Sequence, residues 1–176
     1  MEIKETNSKK FIINYGLLLG ITSVLIGVIM YVTNSYLNPS WIYSVISIAL
    51  PIVIITMGIK AFKTANGGFL GLGEAIKIGL GIAVIGGILT AIWSLLLMTV
   101  IEPNYMSLLM EAQQEKMLAT NPNITQSQLD AAQEVSSKFS GPWIAMAMTI
   151  IWSLFSGLII SLISGLVMKK ENPYKA

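Results

Sequence analysis

Long apolar segments alternate with short polar ones along the chain. A helix needs about 20 apolar residues to cross a hydrocarbon layer of about 30 Å, and four segments are long enough to do so. They cover residues 11–31, 41–62, 78–101 and 143–168. The pattern therefore predicts an all-α integral membrane protein of four transmembrane helices, forming a single membrane domain over residues 1–176.

Composition supports this class and limits the available chemistry. The chain is 54% hydrophobic and 11% charged, with a mean hydropathy of +0.71. It has no cysteine and no histidine, and all eleven of its Lys and Arg residues are lysines, so it has no arginine either. Thiolate nucleophiles, disulfides, histidine bases, Cys/His metal sites and arginine clamps on phosphate are thus excluded. We expect no enzyme activity, no cofactor, no bound metal and no nucleic-acid partner.

The lysines predict how the spans are oriented. If the four spans alternate in direction, nine lysines fall on one side of the membrane and only Lys116 and Lys138 fall on the other. Because lysine-rich loops are retained in the cytoplasm, we expect both termini and the 63–74 loop there, and residues 33–40 and 102–141 on the extracytoplasmic side. The nine are Lys4, Lys9, Lys10, Lys60, Lys63, Lys77, Lys169, Lys170 and Lys175.

Small residues recur four positions apart on the third and fourth spans, the spacing that lets membrane helices approach closely. On the third span they are Ala75, Gly79, Ala83, Gly87 and Ala91. On the fourth they are Gly141, Ala145, Thr149, Ser153, Gly157, Ser161 and Gly165. These spans are expected to pack tightly, against each other or against a second copy. Pro51, in the middle of the second span, predicts a bend because it removes the helical hydrogen bond to the carbonyl of Ser47.

Residues 102–141 form a polar insert with five acidic residues and two lysines. Apolar positions predict two short helices separated by the Asn-Pro-Asn of residues 121–123, and thus a short helical hairpin. These positions are Met106, Leu109, Met110 and Met117, then Leu129, Ala132, Val135 and Phe139. Two pairs could cap the second helix, namely Asn123 with Gln126 and Ser127 with Asp130. The insert either binds a partner or ligand or serves as a solvated connector.

A glycine-rich stretch, KAFKTANGGFLGLGEAIKIG at residues 60–79, joins the second and third spans. Its glycines lead to a glutamate and not to the Gly-Lys-Ser/Thr of a nucleotide-binding loop, so nucleotide binding is not expected. Free amides at the start of the third span, with lysines nearby, predict instead a contact for an anionic lipid phosphate or for a partner. The candidates are Lys60, Lys63, Asn66, Gly67, Gly68, Glu74 and Lys77. Topology alone is an alternative explanation for the lysines.

The run from Lys63 to Gly79, which follows a Gly-Ile-Lys-Ala-Phe ending of the second span, resembles the domain-of-unknown-function 4199 family of bacterial membrane proteins. The likeness extends to Lys-Lys-Phe-x-x-x-Tyr-Gly at residues 9–16 and to Ile-Glu-Pro at 101–103. Such proteins are typical of Bacteroidota, which implies the inner membrane with the insert in the periplasm. The family has no assigned activity, so the resemblance implies an architecture and no catalytic residue. The resemblance also implies an accessory role near lipid-linked sugars, because genes of this family neighbour those of polyprenyl-phosphate glycosyltransferases.

Several functional hypotheses fit the sequence. The leading one is a non-catalytic accessory or assembly subunit that engages membrane lipids and another membrane protein, or a second copy, through the insert or the small-residue faces. The alternative is a small transporter or lipid-handling protein that uses Pro51 and the glycine-rich loop. No acidic residue lies deep within a span, whereas proton-coupled transport normally needs an ionisable group there. Enzyme activity, the third hypothesis, would depend on Glu74 or Glu102.

Overall fold

The computed structural model of the protein describes residues 6–121, 123–139 and 141–171, except for the side chain of Phe139. The described residues form six α-helices and no strand, which confirms the all-α class. The helices are α1 (Ser8–Val32), α2 (Trp41–Ala65), α3 (Leu72–Leu96), α4 (Tyr105–Thr120), α5 (Gln126–Phe139) and α6 (Pro142–Met168). Lys4, Pro122 and Lys175, which entered the sequence predictions, lie outside the described residues.

Helices α1, α2, α3 and α6 are each long and apolar enough to cross a membrane, which confirms the four predicted spans. The third span continues beyond α3 through a π-helical turn, Leu97–Ile101, and so reaches a length of 30 residues. In this wider turn the amide of Glu102 donates to the carbonyl oxygen of Leu97 at 2.8 Å. The helical path then ends before Pro103, whose ring nitrogen carries no hydrogen to continue it.

The third span begins at Leu72 and not at residue 78, where the apolar run begins. The carboxylate of Glu74 accepts a hydrogen bond of 2.9 Å from the amide of Gly71, an arrangement that caps the first helical turn. A negative side chain at this place also complements the positive end of the helix. Capping therefore extends α3 into the polar sequence, so that Lys77 lies within the helix.

The predicted caps of α5 are wrong. The amide of Thr125 donates to Oε1 of Gln128 at 3.0 Å, so a side chain of the helix itself supplies the acceptor. The helix accordingly begins at Gln126. The first residue of a capping pair has to lie immediately before the first helical residue. Thr125 holds that position, and neither Asn123 nor Ser127 does.

Helix α3 packs most extensively against α6 and α1. A methyl group added to Gly79 would overlap Cβ of Ser161, and one added to Gly157 would overlap Cβ of Ala83. The hydroxyl of Ser153 also donates to the carbonyl oxygen of Ala83 at 2.5 Å. The small residues of the third and fourth spans therefore meet each other within one chain, as close backbone approach requires.

Glycines of α1 make a second close contact with α3, which the sequence reasoning missed. A methyl group on Gly16 would lie 2.7 Å from Cβ of Ile85, and one on Gly20 would overlap Cδ1 of Leu89. Gly16 and Gly20 have the same four-residue spacing as the small residues of α3. That spacing was the signal from which the contact could have been predicted.

The two halves of the bundle differ in packing. The terminal half contains the starts of α1 and α3 and the ends of α2 and α6, and its buried core includes Ile54, Ile55, Ile59, Phe62, Leu70, Ala75, Ile78 and Ile82. The other half, next to α4 and α5, is called here the insert half. There the first half of α2 leaves large apolar side chains exposed outside the cavity lining, including Ile42 and Val45, which are 50% and 52% exposed. Helix α2 therefore closes the bundle mainly in the terminal half.

The insert consists of two helices, as predicted. Helices α4 and α5 contact each other through a hydrogen bond of 2.8 Å from Nε2 of Gln133 to Oε1 of Gln114. No residue of α4 is buried, and Leu129 is the buried residue among the described side chains of α5. Among its described side chains, the two helices of the insert thus bury very few residues.

Candidate functional site

A cavity of about 700 Å³ lies in the insert half, bounded by α1, α2, α3 and α6. It exists because α2 packs closely against its neighbours only through its second half. Ser47 and Pro51, from the first half of α2, line one wall. The volume falls within the range of about 300–1,000 Å³ that is usual for small-molecule sites.

Most of the lining is aliphatic or aromatic. Helix α1 contributes Leu19, Ile26 and Met30, and α6 contributes Trp152, Phe155 and Ile159. None of the described residues that line the cavity is charged. Trp152 and Phe155 stand at the mouth, where they are 69% and 55% exposed, and both belong to a helix that can span a membrane. The mouth therefore opens toward lipid chains when the four helices cross a bilayer.

Hydroxyl groups form the polar part of the lining. Thr90 on α3 and Thr149, Ser153 and Ser156 on α6 all border the cavity. Oγ1 of Thr90 donates to the carbonyl oxygen of Gly86 at 3.0 Å, within its own helix. Such a bond uses the hydroxyl proton, so the group presents oxygen lone pairs to the cavity.

Pro51 adds a main-chain acceptor to the same wall. Because proline has no N–H, the helical hydrogen bond to the carbonyl oxygen of Ser47 is missing. The hydroxyl of Ser47 donates to the carbonyl oxygen of Ser44 at 2.8 Å. Both the proline and Ser47 line the cavity, so the interruption of α2 lies where the cavity forms. A bend at Pro51 stays a prediction.

The predicted lipid or partner contact lies at the opposite end of the bundle. Nζ of Lys63 donates to the carbonyl oxygen of Met168 at 2.7 Å. Leu70 and Lys170 exchange two main-chain hydrogen bonds, of 2.8 and 3.0 Å. Nζ of Lys170 also lies 5.5 Å from the ring centroid of Phe69. These contacts fasten the α2–α3 loop to the end of α6, and we refer to them as the terminal clamp.

The loop glycines form a tight turn within the clamp. Gly67 and Gly68 have φ values of +68° and +85°, a region that glycine adopts without the strain imposed by a side chain. Nδ2 of Asn66 donates to the carbonyl oxygen of Phe69 at 3.1 Å, and the amide of Gly68 donates to the carbonyl oxygen of Lys63 at 2.9 Å. These two glycines of the stretch therefore have a structural use.

The candidate contact residues are thus divided between two environments. Asn66 and Lys63 make hydrogen bonds inside the clamp, and Glu74 caps α3. Lys60 and Lys77 are exposed. Binding of an anionic phosphate or a partner by these residues stays a prediction.

Two further pairs of the predicted packing residues lie between α3 and α6. A methyl group added to Gly165 would lie 2.8 Å from Cβ of Ala75, and one added to Gly87 would lie 2.5 Å from Oγ of Ser153. Ala91 is fully buried. Close approach of α3 and α6 therefore continues along both helices.

Three tyrosine rings stack at the end of the insert half. The ring centroid of Tyr36 lies 6.0 Å from that of Tyr31 and 5.0 Å from that of Tyr105. Burial raises the pKa of the Tyr36 phenol, and the charges of Glu102 and Tyr31 raise this pKa further. Burial, followed by the charge of Tyr36, likewise raises the pKa of Tyr105. The stack joins the α1–α2 loop to the start of α4.

Four membrane-length helices around an uncharged cavity define a multi-pass helical membrane protein. A family model described as Protein of unknown function (DUF4199) matches residues 14–170. The chain therefore belongs to this family, which confirms the resemblance seen in the glycine-rich stretch. No curated protein and no solved structure matches the chain.

Proposed function

We propose that the protein is a non-catalytic lipid-handling protein that takes the hydrocarbon chain of a membrane lipid into the cavity between α1, α2, α3 and α6. The observation that supports this most strongly is the combination of size, apolar lining and lack of charge in the described walls of the cavity. A cavity without contents would leave its lining without van der Waals partners. Lipid chains are the abundant apolar groups at this depth, so they are the natural occupants.

The position of the cavity distinguishes this function from phosphate binding at the terminal clamp. The described lining carries no cation, whereas Lys60 and Lys77 lie at the other end of the bundle, on the end of α2 and the start of α3. A negative headgroup would therefore find no counter-charge at the cavity wall. The hydrocarbon part of the lipid is what the cavity can hold.

Lipid content of the purified protein tests this function. Ser156 is half-buried and lines the cavity, so the ring introduced by Ser156→Phe would occupy the space. Leu154, two positions away on α6 and outside the lining, gives the matched control Leu154→Phe. Native mass spectrometry after extraction in mild detergent should show less retained lipid in Ser156→Phe alone. Equal retention in the wild type and both variants, all folded by thermal unfolding, would contradict the proposal.

A second function, as an accessory or assembly subunit, is favoured by the exposed insert. Leu118 on α4 and Val135 on α5 are 42% and 58% exposed, which gives each helix an apolar group for contact with another membrane protein or a second copy. Native purification should then recover a complex that Leu118→Lys with Val135→Lys disrupts. A lone chain under several gentle extraction conditions would argue against this role.

We further propose a location in the bacterial inner membrane with both termini in the cytoplasm and the insert in the periplasm. This rests on the lysines, because Lys116 and Lys138 alone belong to the insert. The absence of natural cysteine permits single-cysteine labelling with an impermeant maleimide. In intact spheroplasts, Gln113→Cys should react and Thr64→Cys should react only after lysis. The reverse pattern would invert the proposed orientation.

A further inference from the structure

The polar groups of the cavity indicate which lipid it selects, an inference that rests on the proposed lipid-handling function. Thr149, Ser153 and Ser156 lie four and then three positions apart on α6, so they share one face of the helix. All three border the cavity. Three hydroxyls on one face are a considerable polar surface for a membrane helix, where polar groups are normally satisfied by neighbouring protein.

The protons of these hydroxyls are already used by carbonyl groups. Oγ1 of Thr149 donates to the carbonyl oxygen of Ala145 at 2.9 Å, and Oγ of Ser156 donates to that of Ser153 at 3.1 Å. Ser153 in turn donates to Ala83 on α3. Each hydroxyl oxygen retains lone pairs that can accept a hydrogen bond. The α6 wall is therefore a set of acceptors.

The rest of the lining adds one more acceptor and two donors. The carbonyl oxygen of Ser47 lacks its helical donor because of Pro51. Donors are the hydroxyl of Ser23 on α1 and the indole N–H of Trp152 at the mouth, both in the lining. Neither donor has a hydrogen-bond acceptor among the residues that the structure describes. A ligand complementary to this lining both donates and accepts.

We propose that the cavity selects an uncharged lipid whose apolar part carries a hydroxyl group, and that either Thr149 or Ser156, two turns apart on α6, accepts the hydrogen bond from this hydroxyl. A hydroxyl is one donor and two acceptor lone pairs, so it can donate to α6 and also accept from Ser23. An ester or ether oxygen only accepts. An ionised group would be desolvated beside a wall without a counter-charge, which is costly.

Displacement of a fluorescent chain tests the selection. Methyl parinarate is the reporter, because energy transfer from tryptophan detects its polyene chain near the mouth, where Trp152 lies. The competitors are 1-hexadecanol and hexadecyl methyl ether, which differ in the hydroxyl proton, at equal mole fractions in the micelle. For the wild type we expect the alcohol to displace the reporter at about fivefold lower mole fraction, the usual effect of one hydrogen bond.

Variants separate recognition by the protein from partition into the micelle. In Thr149→Val with Ser156→Ala the alcohol-to-ether preference should fall to that of micelles alone. Thr22→Val is the matched control, because Thr22 also donates within its own span but lies outside the lining, and it should keep the wild-type preference. Dividing the alcohol-to-ether preference of a variant by that of the wild type removes the contribution of partition into the micelle, since both proteins are measured in the same micelles.

The outcomes distinguish the two proposals. Equal displacement by alcohol and ether in the wild type would overturn the hydroxyl preference while leaving lipid binding intact. A preference that survives in the double variant would overturn the assignment to Thr149 and Ser156. A reporter that shows no saturable energy transfer in any protein would overturn the lipid-handling function itself.

Discussion

Lys63 closes the end of α6 by donating a hydrogen bond of 2.7 Å from its Nζ to the main-chain carbonyl oxygen of Met168. The last carbonyls of a helix have no intrahelical donor, so a cation placed there stabilises the helix end. Lys63→Met keeps the aliphatic length and removes the donor. We expect a loss of about 1 kcal/mol in the free energy of unfolding, together with faster hydrogen exchange at residues 166–171.

Lys60→Met is the control for this prediction, because Lys60 lies one turn earlier on α2 and is exposed. Its effect on thermal unfolding and on exchange at the end of α6 should be small. If both variants exchange at the wild-type rate, the bond between Lys63 and Met168 does not hold the helix end.

The contact between Gly79 and Ser161 leaves no space for a methyl group. Gly79→Ala should push α3 away from α6, because the new Cβ would overlap that of Ser161. Overpacking of this kind costs about 1–3 kcal/mol. Gly73→Ala, earlier on α3, has no atom within 4 Å of the added methyl and is the control. Thermal unfolding in one detergent should separate the two variants, and equal melting would contradict the close approach of α3 and α6 at Gly79.

Gly68 should be sensitive to substitution for a different reason. Nothing lies within 4 Å of an added Cβ, but its φ of +85° is strained for any residue with a side chain. Gly68→Ala should therefore destabilise the α2–α3 turn by about 1–2 kcal/mol, although no contact is lost. Gly73→Ala again serves as the control, since it also has open space. Proteolysis at the loop would report the effect; identical cleavage of both variants would rule out backbone strain as the reason for this glycine.

The four spans could be predicted from the sequence because length and hydropathy alone decide whether a helix can cross a membrane. The start of α3 could not, since it depends on Glu74 reaching back to the amide of Gly71. The α3–α6 contact was foreseeable from spacing. The sequence could not tell whether the small-residue face of α3 meets α6 of the same chain or of a second copy, because Gly79 could have met Ser161 of either.

The candidate site was less predictable than the fold. Pro51 indicated an irregularity in α2, but the cavity depends on where α2 leaves its neighbours, and no local pattern encodes that. The glycine-rich stretch suggested an anion contact, which stays a prediction, and the structure places its Lys63 in the terminal clamp. Charge and glycine content identify a special segment without telling whether its role is binding or packing.

Alkaline pH should weaken the tyrosine stack. Burial, aided by Glu102, raises the pKa of Tyr36 in the folded protein above its ordinary value of 10.0. The unfolded chain therefore loses this proton first as pH rises, so stability is retained below pH 10.0 and declines above it. Tyr36→Phe should reduce the decline, and Glu102→Gln should let Tyr36 ionise at lower pH. Tyrosinate absorbance and thermal unfolding measure both effects.

Tyr43→Phe, a tyrosine outside the stack, is the control for the alkaline titration. Its unfolding curves should decline with pH as in the wild type. If Tyr36→Phe and Tyr43→Phe behave alike above pH 10.0, the stack of Tyr36 does not determine alkaline stability.

The central claim is that a lipid chain enters the bundle between α1, α2, α3 and α6. Residue-level mapping of cross-links from a lipid with a diazirine in its acyl chain tests it in the wild-type protein and in Ser156→Phe. Thr90 on α3 lines the cavity, whereas Ile88 on the same helix lies outside the lining and is 42% exposed. Labelling of both residues, with Thr90 protected in Ser156→Phe, is the predicted result. Labelling of Ile88 without Thr90 or Ser156 would show that lipid stays outside, and would contradict the claim.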